Sequence, residues 1–372
     1  MLGSAVVGLG IGLAHCAGYF ASPHAKLKAV CDLQPERLSR IGGTFGQGSM
    51  LVLRELFPAE DLDLGWEDKG VRTYTSIDEL LKDEGIDIVS LCTPDHTHAE
   101  LAVKVLQAGK HLLLEKPLAL SLAEAERIRK ALEAAGVTFS VAYEFRLNPV
   151  VQKALELVRS GRLGEIEAFA LHHFRTPFKR DKWKGWIQKK ACSGGLIVEE
   201  TCHWFDLARY LTGREVSSLH CVKTDKIHPD SDFEDIAYIN GTFKDGGILQ
   251  ISHSLAGFDF NLSFILHGRQ GTAWCSLKEQ RLSSLDGRET SYYGIVSFGR
   301  TNTGPREAEV FKFGREATEP ENIRDYARHF AECVALSRTP QAGFADGLES
   351  LKLALSAQEA GDRGIVVEVA PC

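Results

Sequence analysis

The apolar run Ser4-Ala5-Val6-Val7 empties directly into Gly8-Leu9-Gly10-Ile11-Gly12-Leu13-Ala14-His15, and this junction constrains the fold more than any other stretch. Glycines at a strand-to-helix turn let backbone amides approach a pyrophosphate at the helix N-terminus, where unpaired N–H groups and the helix dipole favour an anion. The spacing departs from the regular fingerprint: position 13 is Leu13, with Gly12 one residue early and Ala14 one late. Taken alone, the loop also fits a tight turn that binds nothing. The next strand, Leu27 to Cys31, closes on Asp32, 24 residues after Gly8. A carboxylate there accepts hydrogen bonds from ribose hydroxyls and repels a 2′-phosphate, so NAD is expected over NADP. Arg37 and Arg40 lie close enough in sequence to soften that preference.

Strand and helix patterns alternate through the first part of the chain: Val71 to Tyr74, a helix near 77–82, Ile86 to Leu91, a helix near 99–108, then the strand ending in Glu115-Lys116-Pro117. Alternation of this kind implies right-handed crossovers and a parallel sheet. Thr93, Pro94 and His98 follow a strand's carboxyl end, where open α/β sheets bind ligands. Residues 45–70 are too long for an ordinary connection; a lid, an oligomer contact and a solvated acidic excursion all fit them.

Beyond Tyr143 the period changes. Helix-like Val150 to Arg159 leads into a strand over 165–174, and further strands over 237–243, 247–252, 261–267 and 271–276 are separated by turn signals. The expectation is an α/β chain: a dinucleotide-binding domain over 1–143 and an α+β domain over 144–372, built on an open, mostly antiparallel sheet with helices near 197–211, 321–336 and 345–360. At 372 residues two cores are expected. The net charge of −7 argues against a nucleic-acid partner, and no apolar run approaches the roughly 20 residues of a membrane span. The nine cysteines are scattered and never in a Cys-x-x-Cys pair, which reads as reduced thiols. Together with an N-terminus that lacks a basic flank, this favours the cytoplasm as the expected location.

Two stretches carry chemistry. Lys116 ends an apolar strand, and in Gly194-Gly195-Leu196-Ile197-Val198-Glu199-Glu200-Thr201-Cys202-His203-Trp204-Phe205-Asp206 one helix would place Glu199 and His203 on one face, with Asp206 a turn further. A lysine and a carboxylate-oriented imidazole suit removal of a proton from an alcohol. A structural Lys116–Glu115 ion pair, a core histidine bonded to Asp206, and a metal held by Glu199 and His203 are the competing readings. The last lacks a cysteine cluster or a second histidine pair, so no metal is expected. Tyr143, Arg146 and Asn148 follow the last parallel strand, in reach of a hydroxylated substrate or as domain-junction packing. Arg175 to Lys190 holds seven basic residues against Asp181 alone, with Trp183 and Trp186 interleaved; such a run is a solvated loop or a grip on an anion or sugar ring.

Gly8-x-Gly10, Asp32, Thr93-Pro94-x-x-x-His98, Glu115-Lys116-Pro117, Arg146-Leu147-Asn148-Pro149, Gly161-Arg162-Leu163-Gly164 and Glu199-x-x-x-His203-x-x-Asp206 follow one another in a series that resembles the glucose–fructose oxidoreductase / inositol dehydrogenase (Gfo/Idh/MocA) family over nearly the whole chain. The resemblance implies an N-terminal Rossmann domain, a C-terminal open sheet, an NAD or NADP cofactor, a sugar or polyol substrate, and homodimers or homotetramers built on the sheet face. It implies catalytic roles for Lys116, His203 and Glu199. The cofactor would be held by Gly8, Gly10, Ile11, Gly12, Asp32, Arg37, Thr93, Pro94, His98, Glu115 and Lys116. The substrate would meet Lys116, Tyr143, Arg146, Asn148, His172, Trp183, Glu199 and His203. Glu199 stands where many relatives carry Asp, and Glu144 where relatives often carry a neutral amide. The leading expectation is oxidation or reduction of a secondary hydroxyl by hydride transfer. A redox-assisted glycosidase that recycles its cofactor, and a non-catalytic cofactor-sensing regulator, are the alternatives.

Overall fold

The computed structural model of the chain describes residues 1–42, 51–177, 182–257, 260–278, 293–300 and 308–369, without the side chains of 51–53, 182–184 and 278. The chain packs as two units, 1–144 with 319–348, and 145–318 with 349–372.

In the first unit β1 (Leu2–Val7), β2 (Ala25–Cys31), β3 (Arg72–Tyr74), β4 (Ile88–Leu91), β5 (His111–Leu114) and β6 (Phe139–Val141) form one parallel sheet in the order β3-β2-β1-β4-β5-β6. Val6, Val89, Leu113 and Val141 are fully buried, as expected of continuous apolar strands covered on both faces. The strand order reverses beside β1, the place where such sheets bind nucleotides. The helix Leu122–Ala135 starts in a capping box: the Ser121 hydroxyl accepts from Glu124 N–H at 3.2 Å, and the Glu124 carboxylate accepts from Leu120 N–H at 2.9 Å.

The single boundary expected at 143/144 is not what the fold shows, because the chain returns to the first unit at 319–348. Helix Glu319–Ala335 packs against helix Gly12–Phe20 with Ile323, Tyr326, Ala327 and Phe330 buried. A Cβ on Gly18 would lie 2.4 Å from the Arg324 carbonyl oxygen, so the two helices meet backbone to backbone. The Ala342 carbonyl accepts from Val141 N–H and from the Ser140 hydroxyl, which closes the edge of the sheet at β6. Nothing in local periodicity marks a helix as belonging to a sheet so far back in the chain.

Of the 45–70 excursion, 45–50 lie outside the described residues. The rest runs through short 3-10 turns at Leu51–Leu56, Ala59–Asp61 and Glu67–Lys69. Trp66 is fully buried and its indole N–H donates to the Arg37 carbonyl at 3.2 Å, and Phe57 packs edge-on against Phe20. These anchors correct the reading of a purely solvated excursion.

The second unit is a nine-stranded sheet of β7 (Ile166–Phe174), β8 (Val216–Thr224), β9 (Ile236–Phe243), β10 (Ile248–Ser254), β11 (Asn261–Gly268), β12 (Gly271–Lys278), β13 (Gly294–Arg300), β14 (Ala308–Phe313) and β15 (Val367–Glu368), ordered β14-β13-β12-β11-β7-β10-β9-β8-β15. All neighbours run antiparallel except β7 and β10. Helices Pro149–Arg159 and Thr201–Thr212 cover one face. Along β10 the alternation is direct: Leu249 and Ile251 are buried while Ile248 is 60% exposed on the other face. The helix expected across 197–211 is two pieces, Gly195–Glu199 and Thr201–Thr212, broken at Glu200 where φ is −120°. Among the described residues no helix is long and apolar enough to cross a membrane, and the eight described cysteines are free thiols; Cys372 lies outside the described residues.

Candidate functional site

The cofactor side belongs to the first unit. Gly8 has φ +89°, and a Cβ there would sit 2.3 Å from the Cys92 carbonyl oxygen, so only glycine lets β1 turn this close to the end of β4. A Cβ on Gly12 already has Val6 Cγ1 at 2.8 Å. Gly12, one residue early by the fingerprint, therefore provides the close helix-on-strand packing that the third glycine provides elsewhere. Helix Gly12–Phe20 starts here with Ile11 as its cap residue, its first amides following Gly10.

Asp32 caps the end of β2. Its Oδ2 accepts from Leu9 N–H at 2.9 Å, Oδ1 accepts from Gln34 N–H at 2.9 Å, and Arg37 Nη1 lies 3.6 Å from Oδ2. Two backbone donors leave a carboxylate with room to accept from ribose hydroxyls, so these residues fit NAD. Burial lowers the Arg37 pKa and the Asp32 charge opposes that shift.

Beneath Lys116 runs a buried polar chain. Glu115 Oε1 pairs with His15 Nε2 at 2.8 Å, His15 Nδ1 lies 3.1 Å from Ser90 Oγ, and Ser90 Oγ lies 2.7 Å from the Tyr19 hydroxyl. Glu115 Oε2 accepts from the Lys116 backbone N–H at 3.3 Å. Glu115, the lysine's ion-pair partner in the competing reading, is tied to His15 and to the lysine's own amide. His98 is fully buried, with Nδ1 2.8 Å from the Pro117 carbonyl oxygen and Nε2 2.9 Å from that of Thr93. It joins the loops that end β4 and β5 and holds Thr93, Pro94 and Lys116 in register; burial lowers its pKa while the two carbonyls raise it. Thr93 Oγ1 lies 2.7 Å from Thr97 Oγ1. Tyr143 is buried at the end of β6, and beside it Glu144 is pushed well above the usual carboxylate range, first by burial, then by the charges of Glu115 and Glu319, with Lys116 opposing.

The second unit carries His203 and Glu199, both buried, on either side of the Glu200 break. His203 N–H reaches the Glu200 carbonyl at 3.1 Å, and the His203 ring meets Phe145 edge-on with centroids 5.5 Å apart. One unbroken helix placing Glu199 and His203 four apart on one face is the expectation, and the structure corrects it: Glu200 separates the two residues into different helices. Asp206 is held by Arg146 in a two-pronged pair, Nε to Oδ2 at 2.8 Å and Nη2 to Oδ1 at 2.6 Å, with the guanidinium over the Tyr210 ring. Both groups are nearly fully buried, and the pair anchors the helix of His203. Asn148 is bonded at both ends of its amide: its Oδ1 caps helix Pro149–Arg159 at Val150 N–H, and its Nδ2 donates to the Ala317 carbonyl at 2.9 Å. His172 is exposed on the open face of the sheet, 2.8 Å from Ser252 Oγ, because successive side chains of β7 alternate. It therefore faces away from the side covered by the His203 helix. The Trp183 side chain and residues Lys179, Arg180 and Asp181 lie outside the described residues.

Sequence reasoning missed one cluster. His173 and His253 are register partners on β7 and β10, and Glu200 reaches both from the helix break. No spacing in the sequence announces it, since sheet pairing alone brings the histidines together.

Residues 2–143 match the family described as "Oxidoreductase family, NAD-binding Rossmann fold", and 151–274 match the GFO/IDH/MocA C-terminal domain. The chain belongs to the GFO/IDH/MocA family. It is accordingly an oxidoreductase with an NAD-binding Rossmann fold. It is 26% identical to an uncharacterised oxidoreductase, YrbE, of Bacillus subtilis, covering 98% of this chain and 95% of that one. It is also 26% identical to the scyllo-inositol 2-dehydrogenase (NAD(+)) of the same organism, over 78% of this chain and 80% of that one. A levoglucosan dehydrogenase solved with NADH and levoglucosan superposes with a TM-score of 0.80 at 20% identity, covering 100% of both chains, which speaks to the fold.

Proposed function

We propose that this family member is an NAD-dependent dehydrogenase acting on a secondary hydroxyl of a sugar, an inositol or a related polyol. The observation that carries the reading is the placement of Lys116: its strand end is fixed by Glu115, His15 and the His98 bridge, in the same unit as the Gly8 turn and Asp32. Inositol and levoglucosan dehydrogenases among the relatives support the substrate class. Gly8, Gly10, Ile11, Gly12 and Asp32 would hold NAD, with Thr93 and Pro94 at the end of β4, and bound NAD supplies the hydride acceptor. Lys116 hydrogen-bonds the reacting hydroxyl, His203 takes its proton, and Glu199 orients His203.

The test is a panel of inositols, aldoses and anhydrosugars with NAD, read at the reduced-nicotinamide absorbance band. Stoichiometric reduction by one of them supports the reading. Release of an aglycone without net reduction would favour redox-assisted elimination instead.

The open sheet face supports self-association. Val222, Tyr238, Ile248, Trp274 and Val310, all on that face by register, are 59%, 51%, 60%, 40% and 52% exposed, and exposed apolar side chains gathered on one face mark an interaction surface. A second copy of the chain is the proposed cover. Light scattering should give a dimer or tetramer that Tyr238→Glu with Trp274→Glu dissociates; a monomeric native protein excludes it.

A further inference from the structure

His173, Glu200 and His253 take no part in the proposed chemistry, yet they are buried together on the covered side of the second sheet. Their hydrogen bonds fix the proton on Nδ1 of each ring, so that a neutral ring turns a bare Nε2 to Glu200. His173 Nδ1 lies 2.8 Å from the Asn261 carbonyl oxygen; a carbonyl only accepts, so Nδ1 bears the hydrogen and Nε2 of a neutral ring presents a lone pair. Thr201 gives its hydroxyl proton to the Leu196 carbonyl at 3.2 Å, which leaves Oγ1 to accept from His253 Nδ1 at 2.8 Å. His253 Nε2 is then also a lone pair. Both point at one carboxylate: His173 Nε2 is 3.2 Å from Glu200 Oε1, and His253 Nε2 is 3.7 Å from Glu200 Oε2. Lone pairs of two neutral imidazoles and a carboxylate facing one another in a buried pocket repel unless a proton on one Nε2 or a metal cation lies among them. Arg175 Nη1 satisfies Oε1 from one side at 3.0 Å, but Oε2, buried, makes no hydrogen bond among the described residues.

One donor atom from each of the three side chains lies within 4.8 Å of the others, two imidazole nitrogens and a carboxylate oxygen, and Arg175 holds Oε1 of that carboxylate. Each histidine is oriented through Nδ1 by a hydroxyl or a carbonyl, the arrangement that presents Nε2 to a metal. Trp204 and Phe260 wall the His173 ring at centroid distances of 4.9 Å. The Arg175 side chain is a quarter exposed, so water screens its opposition to a cation.

We propose that His173 Nε2, His253 Nε2 and Glu200 Oε2 bind a divalent first-row transition cation of the zinc type, with N₂O donation and room for one small further ligand. The ion is structural. Glu200 is the break between the helix ending in Glu199 and the helix carrying His203, so the cation ties that break to β7 and β10 and fixes the approach to the His203 helix. A reacting role is not part of the proposal, and the ion changes no oxidation state.

The test uses the full chain and Co²⁺ as a visible probe. Purified protein, stripped with chelator, should take up one equivalent of Co²⁺ with a ligand-field band in the visible, lose that band to one equivalent of Zn²⁺, and melt at a higher temperature with Zn²⁺ than with chelator. Thr201→Val, which removes the partner of His253 Nδ1 together with the hydroxyl's bond to the Leu196 carbonyl, should weaken Zn²⁺ binding by about tenfold or more, and His173→Gln with His253→Gln should abolish the band. Three results would overturn the proposal: no saturable Co²⁺ band or Zn²⁺-dependent melting shift in the native protein, a band that survives in the double variant, or nitrogen chemical shifts showing one of the two rings doubly protonated in the presence of Zn²⁺. None of these readouts depends on polyol turnover, so failure of the dehydrogenase reading and failure of the metal site remain distinguishable.

Discussion

Asp32 and Glu144 show how single positions bias the first unit. Asp32 at the end of β2 holds the glycine turn through Leu9 N–H while keeping acceptor capacity for ribose hydroxyls, and a 2′-phosphate beside it would place like charges together. Native protein should bind NAD at least about tenfold more tightly than NADP, and Asp32→Ala should weaken NAD and narrow that lead; equal affinities measured by fluorescence titration would mean that Arg37 reaches the phosphate. Glu144 ionises near 4.5 when exposed and well above that when folded, chiefly because of burial. The folded state therefore holds a proton that the unfolded state releases, and this contribution to stability is present below about 4.5 and lost as the pH rises through the folded value. Glu144→Gln removes the ionisation at constant shape, so its melting temperature should exceed that of the native chain by a margin that grows with pH above about 4.5. A margin independent of pH would contradict the assignment. Asp32 and Lys116 were legible in the sequence because a strand end is a position that alternation alone can locate. The roles of Arg146 and Asn148 were not, since the partners that occupy them, Asp206 and Ala317, come from elements far along the chain.

At the scale of elements, the two helical pieces around Glu200 depend on long-range anchors. Local signals predicted a helix there and its apolar face, but not the break, which is fixed by what Glu200 and Thr201 meet on β7 and β10. Arg146 holds the second piece through Asp206. Removing one partner of a buried ion pair leaves the other charged and unpaired, so Asp206→Ala should destabilise the second unit by about 3–5 kcal/mol, seen as an earlier urea transition. Arg146→Met with Asp206→Leu should recover most of it. Were Arg146 a substrate ligand instead, Arg146→Met would raise KM with little change in the transition. Asn148→Ala strips a helix cap and a buried donor together and should cost about 2–4 kcal/mol by the same measurement.

For the whole molecule, alternation in the first part and consecutive strands in the second revealed two architectures, because both follow from local period. The return of 319–348 to the first unit was hidden, because a helix of ordinary amphipathic pattern does not say which sheet it covers. This packing predicts that residues 1–144 alone leave the seat of Tyr326, Ala327 and Phe330 exposed and fold without a cooperative thermal transition. The same segment joined by a flexible linker to 319–348 should melt cooperatively and bind NAD. Cooperative folding of 1–144 alone would count against the division.

The central claim is that hydride passes between a polyol carbon and NAD while Lys116 and His203 manage the hydroxyl proton. It is tested most directly with a polyol bearing deuterium on the carbinol carbon, followed by mass analysis of the recovered cofactor. The account predicts one deuterium in the reduced nicotinamide per molecule oxidised, and a loss of about 100-fold or more in that transfer for Lys116→Ala and for His203→Ala with NAD binding by His203→Ala unchanged. Oxidised product with no deuterium in the cofactor, or both variants transferring it at the native rate, would contradict the account.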